Sequence, residues 1–284
     1  MATLQNKIDF ALIFTVKNAN PNGDPLGGNR PRTTSDGLGE VSDVCLKRKM
    51  RNRLQVVEGE DKKPKYEIFV QMDESCIDGK KSLSDRFNVF LSSLGKDEQK
   101  SKEIVAAKVC EKWVDVRSFG QVFAFKKGKD TAEVSIGVRG PVTIQSAFSV
   151  EPVVIESIQI TKSVNSETTD DGKKSSDTMG MKHRVSKAVY VTYGSISPQL
   201  AEKTGFTNDD ANAIKQALVS IFEGDESSAR PSGSMQVLQI VWFTHNCKSG
   251  QYSSAKVHNS VKVDRDGNVT IDPLDGLKPE ILLG

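Results

Sequence analysis

The chain has no CxxC pair, only three histidines, and no stretch approaching the ~20 consecutive apolar residues that span a bilayer. Its four cysteines, Cys45, Cys76, Cys110 and Cys247, lie far apart. In a chain of 284 residues that spacing argues against a zinc site and a disulfide framework, and it predicts buried free thiols. His183, His245 and His258 have no Cys or carboxylate at ligand spacing, so no metal or other cofactor is expected. With no apolar span and no basic, apolar, small-residue leader, a cytoplasmic protein without membrane contact is expected. A charge surplus is also lacking overall, since 39 Lys/Arg against 37 Asp/Glu leave a net value of only +2. The 37% apolar and 27% charged content fits a globular chain able to bury a core.

What is present is local. Residues 17–53 hold eight Lys/Arg against four Asp/Glu, a surplus of +4, which leaves −2 for the rest of the chain. A strand-like segment at 7–17, with Ile8, Phe10, Leu12, Phe14 and Val16 alternating with a second half-apolar face, reads as a central strand. It empties into the loop NPNGDPLGGNRPR at 20–32, whose three Gly and three Pro forbid helix or strand continuation and leave backbone N–H groups free to meet anionic oxygens. Neither GxxxxGK[ST] nor GxGxxG is present there, which excludes a P-loop or dinucleotide site and leaves a surface turn or a phosphate-facing loop. Ser42 then occupies an N-cap position. The next helix, 44–54, carries Lys47, Arg48, Lys49, Arg51 and Arg53 within seven positions, with Leu46, Met50 and Leu54 facing a core. Its one acid, Asp43, leaves most of these cations without i, i+4 partners, so the helix is either a solvated face or a polyanion-binding face.

Further along, a short strand is expected at 66–70, a helix at 82–94 ended by Gly95, and a second helix over 98–113. From 115 to 160 the segments DVRSFG, EVSIGVRG and PVTIQSAFSV are β-branched and Gly-punctuated, which predicts irregular strands. FGQVFAF at 119–125 lacks the basic lead of an RNA-binding aromatic strand and reads as core. Two strands, 153–162 and 184–193, are joined by some twenty polar residues that cannot bury themselves, either a floppy tip or an arm that orders on a partner. Within that arm TMGMKHR sets Met179 and Met181 beside Lys182, His183 and Arg184, an unusual place for core-filling methionines. A helix at 207–223 capped by Thr207, a strand at 235–245 and a hairpin pairing 261–263 with 269–271 complete an α+β sheet with helices on one face. No Ser/His/Asp group or carboxylate pair assembles. Asp24 and Asp36 precede Pro25 and Gly37, where turn chemistry accounts for them.

Five blocks, NPNGDPLGGNRPRT, SDVCLKRKMRNRLQ, DVRSFG, GVRGPVTIQ and TMGMKHR, spread between Asp9 and about Phe243, resemble the backbone subunit of the type I-C CRISPR surveillance complex, Cascade, in the repeat-associated RNA-binding superfamily. The resemblance implies an RNA-recognition-motif-like palm with an inserted helical finger region at 56–114 and a projecting β-ribbon thumb at 153–194, all in one domain of 1–284. It implies a non-catalytic protein whose copies line up head to tail along the spacer of CRISPR RNA and present it to target DNA. Partners would be that RNA, target DNA, other copies of the chain, and the guide-processing, large and small subunits. Carried over by position, Arg30, Arg32, Ser42, Lys47, Arg48 and Arg51 would grip the guide backbone, with Arg139 beside them and Met179, Lys182 and His183 on the thumb. Relatives that cut RNA with a loop carboxylate keep an endoribonuclease using Asp24 or Asp36 as the alternative.

Overall fold

The computed structural model describes residues 2–59, 63–124, 135–161 and 179–284. β1 (Ile8–Ala19) puts Phe10, Leu12, Phe14 and Val16 on one face and Ala11 and Ile13 on the other, all fully buried. A strand apolar on both faces is stable only when both faces are covered. The chain continues through β2 (Gly23–Asp24), β3 (Arg30–Pro31), β4 (Leu38–Val41) and α1 (Asp43–Gln55). An insertion comes after it, with α2 (Leu83–Ser93), α3 (Lys102–Lys112), α4 (Val114–Phe119), β5 (Gln121–Ala124) and β6 (Ser135–Val138). Next come β7 (Val142–Ile144), β8 (Ala147–Pro152), β9 (Ile155–Thr161), β10 (Met179–Ile196), α5 (Pro198–Thr204), α6 (Asn208–Val219) and β11 (Met235–Thr244). α7 (Ser254–Ser260), β12 (Val261–Val263), β13 (Val269–Ile271) and β14 (Pro279–Leu283) end it.

Among the described residues the main sheet is antiparallel, in the order β14-β11-β1-β10-β8-β4, with β7 and β9 also on β10. On one face, Leu46, Met50 and Leu54 of α1 and Ile214, Ala217 and Leu218 of α6 pack against Phe10, Phe14 and Tyr190. Each fully buried side chain of this size is worth about 1.5–3 kcal/mol before entropy. The expectation of helices on one face needs correction, because Val257 of α7 and Val261 of the β12–β13 hairpin cover Ala11, Ile13, Val241 and Phe243 on the opposite face. A separate core of Phe69, Phe87, Phe90, Val109, Trp113 and Phe123 supports the insertion and draws Ile136 from β6.

Four local readings differ from the sequence pattern. Residues 66–70 form no ladder; Glu67 makes one isolated bridge to Trp113, while the N–H groups of Phe69 and Val70 donate to the Asp115 carboxylate at 2.7 and 3.1 Å. DVRSFG is the helix α4, not a strand, since Asp115 at its first turn must reach those amides and Arg51 together. Of the four thiols only Cys110 is buried, and Cys247 is exposed. The 98–113 segment breaks at Ser101, whose hydroxyl accepts from Ile104 N and starts α3 afresh. Residues 162–178 of the expected arm, and Phe125 of FGQVFAF, lie outside the described residues.

The last quarter of the chain is tied to β1 through Asp9, a fully buried carboxylate. Lys7 Nζ lies 3.0 Å and His245 Nε2 2.9 Å from its Oδ2, and His258 Nε2 sits 3.7 Å from Oδ1. His245 Nδ1 accepts from Gln251 N at 2.9 Å, so its proton rides on Nε2 and is donated to Asp9. Burial pulls the His258 pKa below its ordinary value.

Candidate nucleic-acid interface

The loop between β1 and β4 is held from below. Asn20, 3% exposed, donates through Nδ2 to Asn29 O at 2.7 Å. Asn22 Oδ1 accepts from both Ser42 N (3.0 Å) and Ser42 Oγ (2.9 Å). The Ser42 hydroxyl also caps α1 by accepting from Cys45 N at 3.3 Å, so it latches the loop to the helix start. Gly23 is required at the loop's base, because a Cβ there would fall 1.9 Å from Asn29 Oδ1. Asp24 caps the turn at Pro25–Gly27 and lies 3.6 Å from Arg32, while Asp36 accepts from the Thr34 hydroxyl. Both acids therefore sit in turn hydrogen bonds. Asp24, Arg30, Arg32, Glu40 and Ile155 line an open hollow of ≈ 330 Å³.

The ribbon of β9 and β10 rises beside that hollow. In its antiparallel register Met179, Met181 and His183 oppose Thr161, Gln159 and Ser157, and directly opposed residues share a face. Met179 and Met181 are 64% and 54% exposed on that face. Lys182 opposes Ile158 and so belongs to the other face, as does Arg184, paired with Glu156 at 2.8 Å. Arg30 Nη1 donates to Ser157 Oγ at 3.2 Å, and that oxygen lies 2.9 Å from His183 Nδ1. Two residues singled out in sequence, Arg30 and His183, thus meet through a third that was not. Ser157 carries no motif, and only strand register would have found it.

The α1 cations need a correction, since besides the Lys47 pair, which spacing allows, the other four have partners that sequence spacing hides. Lys47 pairs with Asp43 at 2.9 Å in i, i+4 register. Arg48 Nη1 donates to Val70 O at 2.7 Å, and burial, reinforced by the neighbouring Arg51 charge, pulls its pKa down. Lys49 is buried in an ion pair with Asp225 and lies over the Phe222 ring, and burial lowers its pKa as well. Arg51 Nε meets Asp115 Oδ2 at 2.8 Å with its guanidinium over Phe119. Arg53 donates to Ser220 Oγ and Glu223 O at 3.1 and 3.2 Å. The helix is a hub that ties the insertion and the 220–225 segment to the sheet. The Lys47 and Asp43 side chains are 25% and 38% exposed, a pair worth at most about 1 kcal/mol and easily exchanged for a phosphate.

Arg139 follows β6, where the backbones of Gly120 and Gly140 approach so closely that a Cβ on Gly140 would fall 2.3 Å from Ser118 O. Among the described residues no hydrogen bond or ion pair joins the Arg139 side chain to the loop or the ribbon. Nor do the described residues place three or more His, Cys, Asp or Glu so as to hold a metal ion. No described helix is long and apolar enough to cross a membrane.

The sequence matches the profile of the CRISPR-associated protein Cas7 family over residues 6–277. The chain belongs to that family. A CRISPR-associated protein Cas7 of Haloferax volcanii is 31% identical over 127 residues, which make up 44% of this chain and 34% of that protein. The match therefore spans about a third of that relative's length. A chain from a solved CRISPR RNA-guided surveillance complex, pre-nicking, aligns with 84% of this Cas7-family chain and 78% of its own at a TM-score of 0.48 and 16% identity. Another, from a CRISPR RNA-guided surveillance complex, covers 92% and 77% at 0.45 and 18%. Likeness at these scores carries no functional argument.

Proposed function

We propose that this Cas7-family chain is a non-catalytic, guide-binding backbone subunit of a type I-C Cascade in the cytoplasm. Its copies coat the spacer of CRISPR RNA head to tail and present it for pairing with foreign DNA, beside guide-processing, large and small subunits. In this reading the main sheet is the palm, of RNA-recognition-motif type, 56–114 the finger region and 153–194 the thumb. The observation that carries it is the meeting of the Arg-bearing loop with the ribbon face that holds His183 and the exposed Met179 and Met181. A basic loop supplies sequence-independent phosphate contacts, and unbranched apolar side chains on a strand supply a surface that bases can stack against or be displaced by.

The residues then divide by role. Arg30, Arg32 and Lys47 meet the guide backbone directly, joined by Arg139. Met179 and His183 face the bases from one side of the ribbon, with Lys182 turned to the neighbouring copy. Ser42, Arg48 and Arg51 act through the shape of the loop and of α1, because their polar atoms are already engaged within the chain.

The test is a gel-shift titration of the purified chain with single-stranded RNA of several unrelated sequences across a salt series. Affinity should be indifferent to sequence and fall steeply as salt rises. Lys47→Ala should make the log–log slope shallower by about 0.7, the increment for one phosphate contact on a single strand. A flat salt response ends the reading.

A further inference from the structure

Ser157 stands where the loop and the ribbon touch. It lies on β9 directly opposite His183 on β10, and its hydroxyl joins Arg30 to the ribbon's Met-bearing face. A guanidinium only donates, so toward Arg30 the oxygen acts as acceptor at 3.2 Å. Its own hydrogen is then free for the ring nitrogen 2.9 Å away, His183 Nδ1.

We propose that Ser157 is a positioning residue of the guide-binding surface. By accepting from Arg30 and donating to His183 Nδ1 it fixes the neutral imidazole in the tautomer that carries its hydrogen on Nε2, and it holds the loop at one angle to the ribbon. The outward edge of the row is then all donor: His183 Nε2–H from the ribbon and the remaining guanidinium N–H groups of Arg30 from the loop. Such an edge suits the non-bridging phosphate oxygens of one ribose-phosphate strand passing from loop to ribbon, and it offers nothing to a donor. Serine suits the place because a short hydroxyl on a strand reaches both neighbours without filling the hollow beside Ile155. The inference rests on the guide-binding reading, but its chemical core, the tautomer, does not need RNA to be seen.

Two measurements on the full chain test it. Imidazole ¹⁵N shifts, recorded without RNA, should show His183 as the Nε2–H tautomer in the wild type and as a mixture in Ser157→Ala. Affinity for single-stranded RNA should fall about tenfold in Ser157→Ala, the loss expected for one charge-assisted hydrogen bond, with an unchanged salt slope because no charge has been removed. Ser157→Thr, which keeps the hydroxyl and suits a strand, should restore both signals. An Nδ1–H tautomer in the wild type, a tautomer unmoved by Ser157→Ala, or a threonine variant as weak as alanine overturns the proposal. If the wild type binds no RNA, the guide-binding reading falls while the tautomer result still judges the row.

Discussion

Replacing Arg51 by methionine separates a cation that builds the protein from one that grips a ligand. Its partner, Asp115, is fully buried and accepts three hydrogen bonds, from Arg51 Nε, Phe69 N and Val70 N, at 2.8, 2.7 and 3.1 Å. Removing the guanidinium leaves a buried carboxylate facing only two amides, and breaking a buried pair from one side costs about 3–5 kcal/mol. The stacking of the guanidinium on Phe119, 5.0 Å from the ring centre, is lost as well. At roughly 2–4 °C per kcal/mol for a chain of this size, the melting temperature should drop by about 10 °C in the absence of RNA. Asp115→Leu, combined with Arg51→Met, should recover part of the loss, because two apolar side chains leave no orphaned charge, although the two amides stay unsatisfied. Melting followed by circular dichroism on the RNA-free chain measures both variants against the wild type. A melting temperature within about 2 °C of wild type for Arg51→Met, together with weakened RNA binding, would refute the assignment and return Arg51 to the ligand surface.

Three further outcomes rest on the same geometry. Gly39→Ala should destabilise the fold by about 1–3 kcal/mol, since the added methyl falls 2.2 Å from Tyr190 Oη, whereas Tyr190→Phe should be nearly neutral because that buried hydroxyl has no partner; the double variant should melt above Gly39→Ala alone. Burial pushes the Cys110 thiol up to about 11 from 9.0, so the unfolded chain loses this proton first and stability falls between about pH 9 and pH 11, by at most about 2–3 kcal/mol; urea titrations across that window measure it, and a flat profile refutes it. Incubating the assembled protein with complementary RNA, with and without magnesium, should give no regularly spaced products, and products lost in Asp24→Asn or Asp36→Asn would make it a nuclease.

Elements whose own residues determine them were legible in sequence. β1 reads from its alternation, α6 from the Thr207 cap and its apolar stripe, and the β12–β13 hairpin from the turn at Gly267, which adopts φ 89°. What sequence could not supply was long-range. DVRSFG is β-branched enough to suggest a strand, yet it is helical because Asp115 reaches across to Arg51, 64 positions away. The basic helix looked uncompensated for the same reason, since its Lys49 and Arg53 find Asp225 and Ser220 at separations of 176 and 167 residues. At the candidate interface the charged members, Arg30 and His183, announced themselves by type. Their connector did not, because a serine gains meaning only from the residue across the ladder.

β1 lies between β10 and β11, so its two neighbours are translated long after it. At typical ribosomal speed of ~5–20 residues per second, roughly 10–50 s separate the emergence of Ala19 from that of Thr244. Until β10 is made the Phe10–Leu12–Phe14 row has no strand partner, and until Thr244 emerges one edge of β1 stays open. Chains released before Met235 leave that edge open and are the species expected in inclusion bodies.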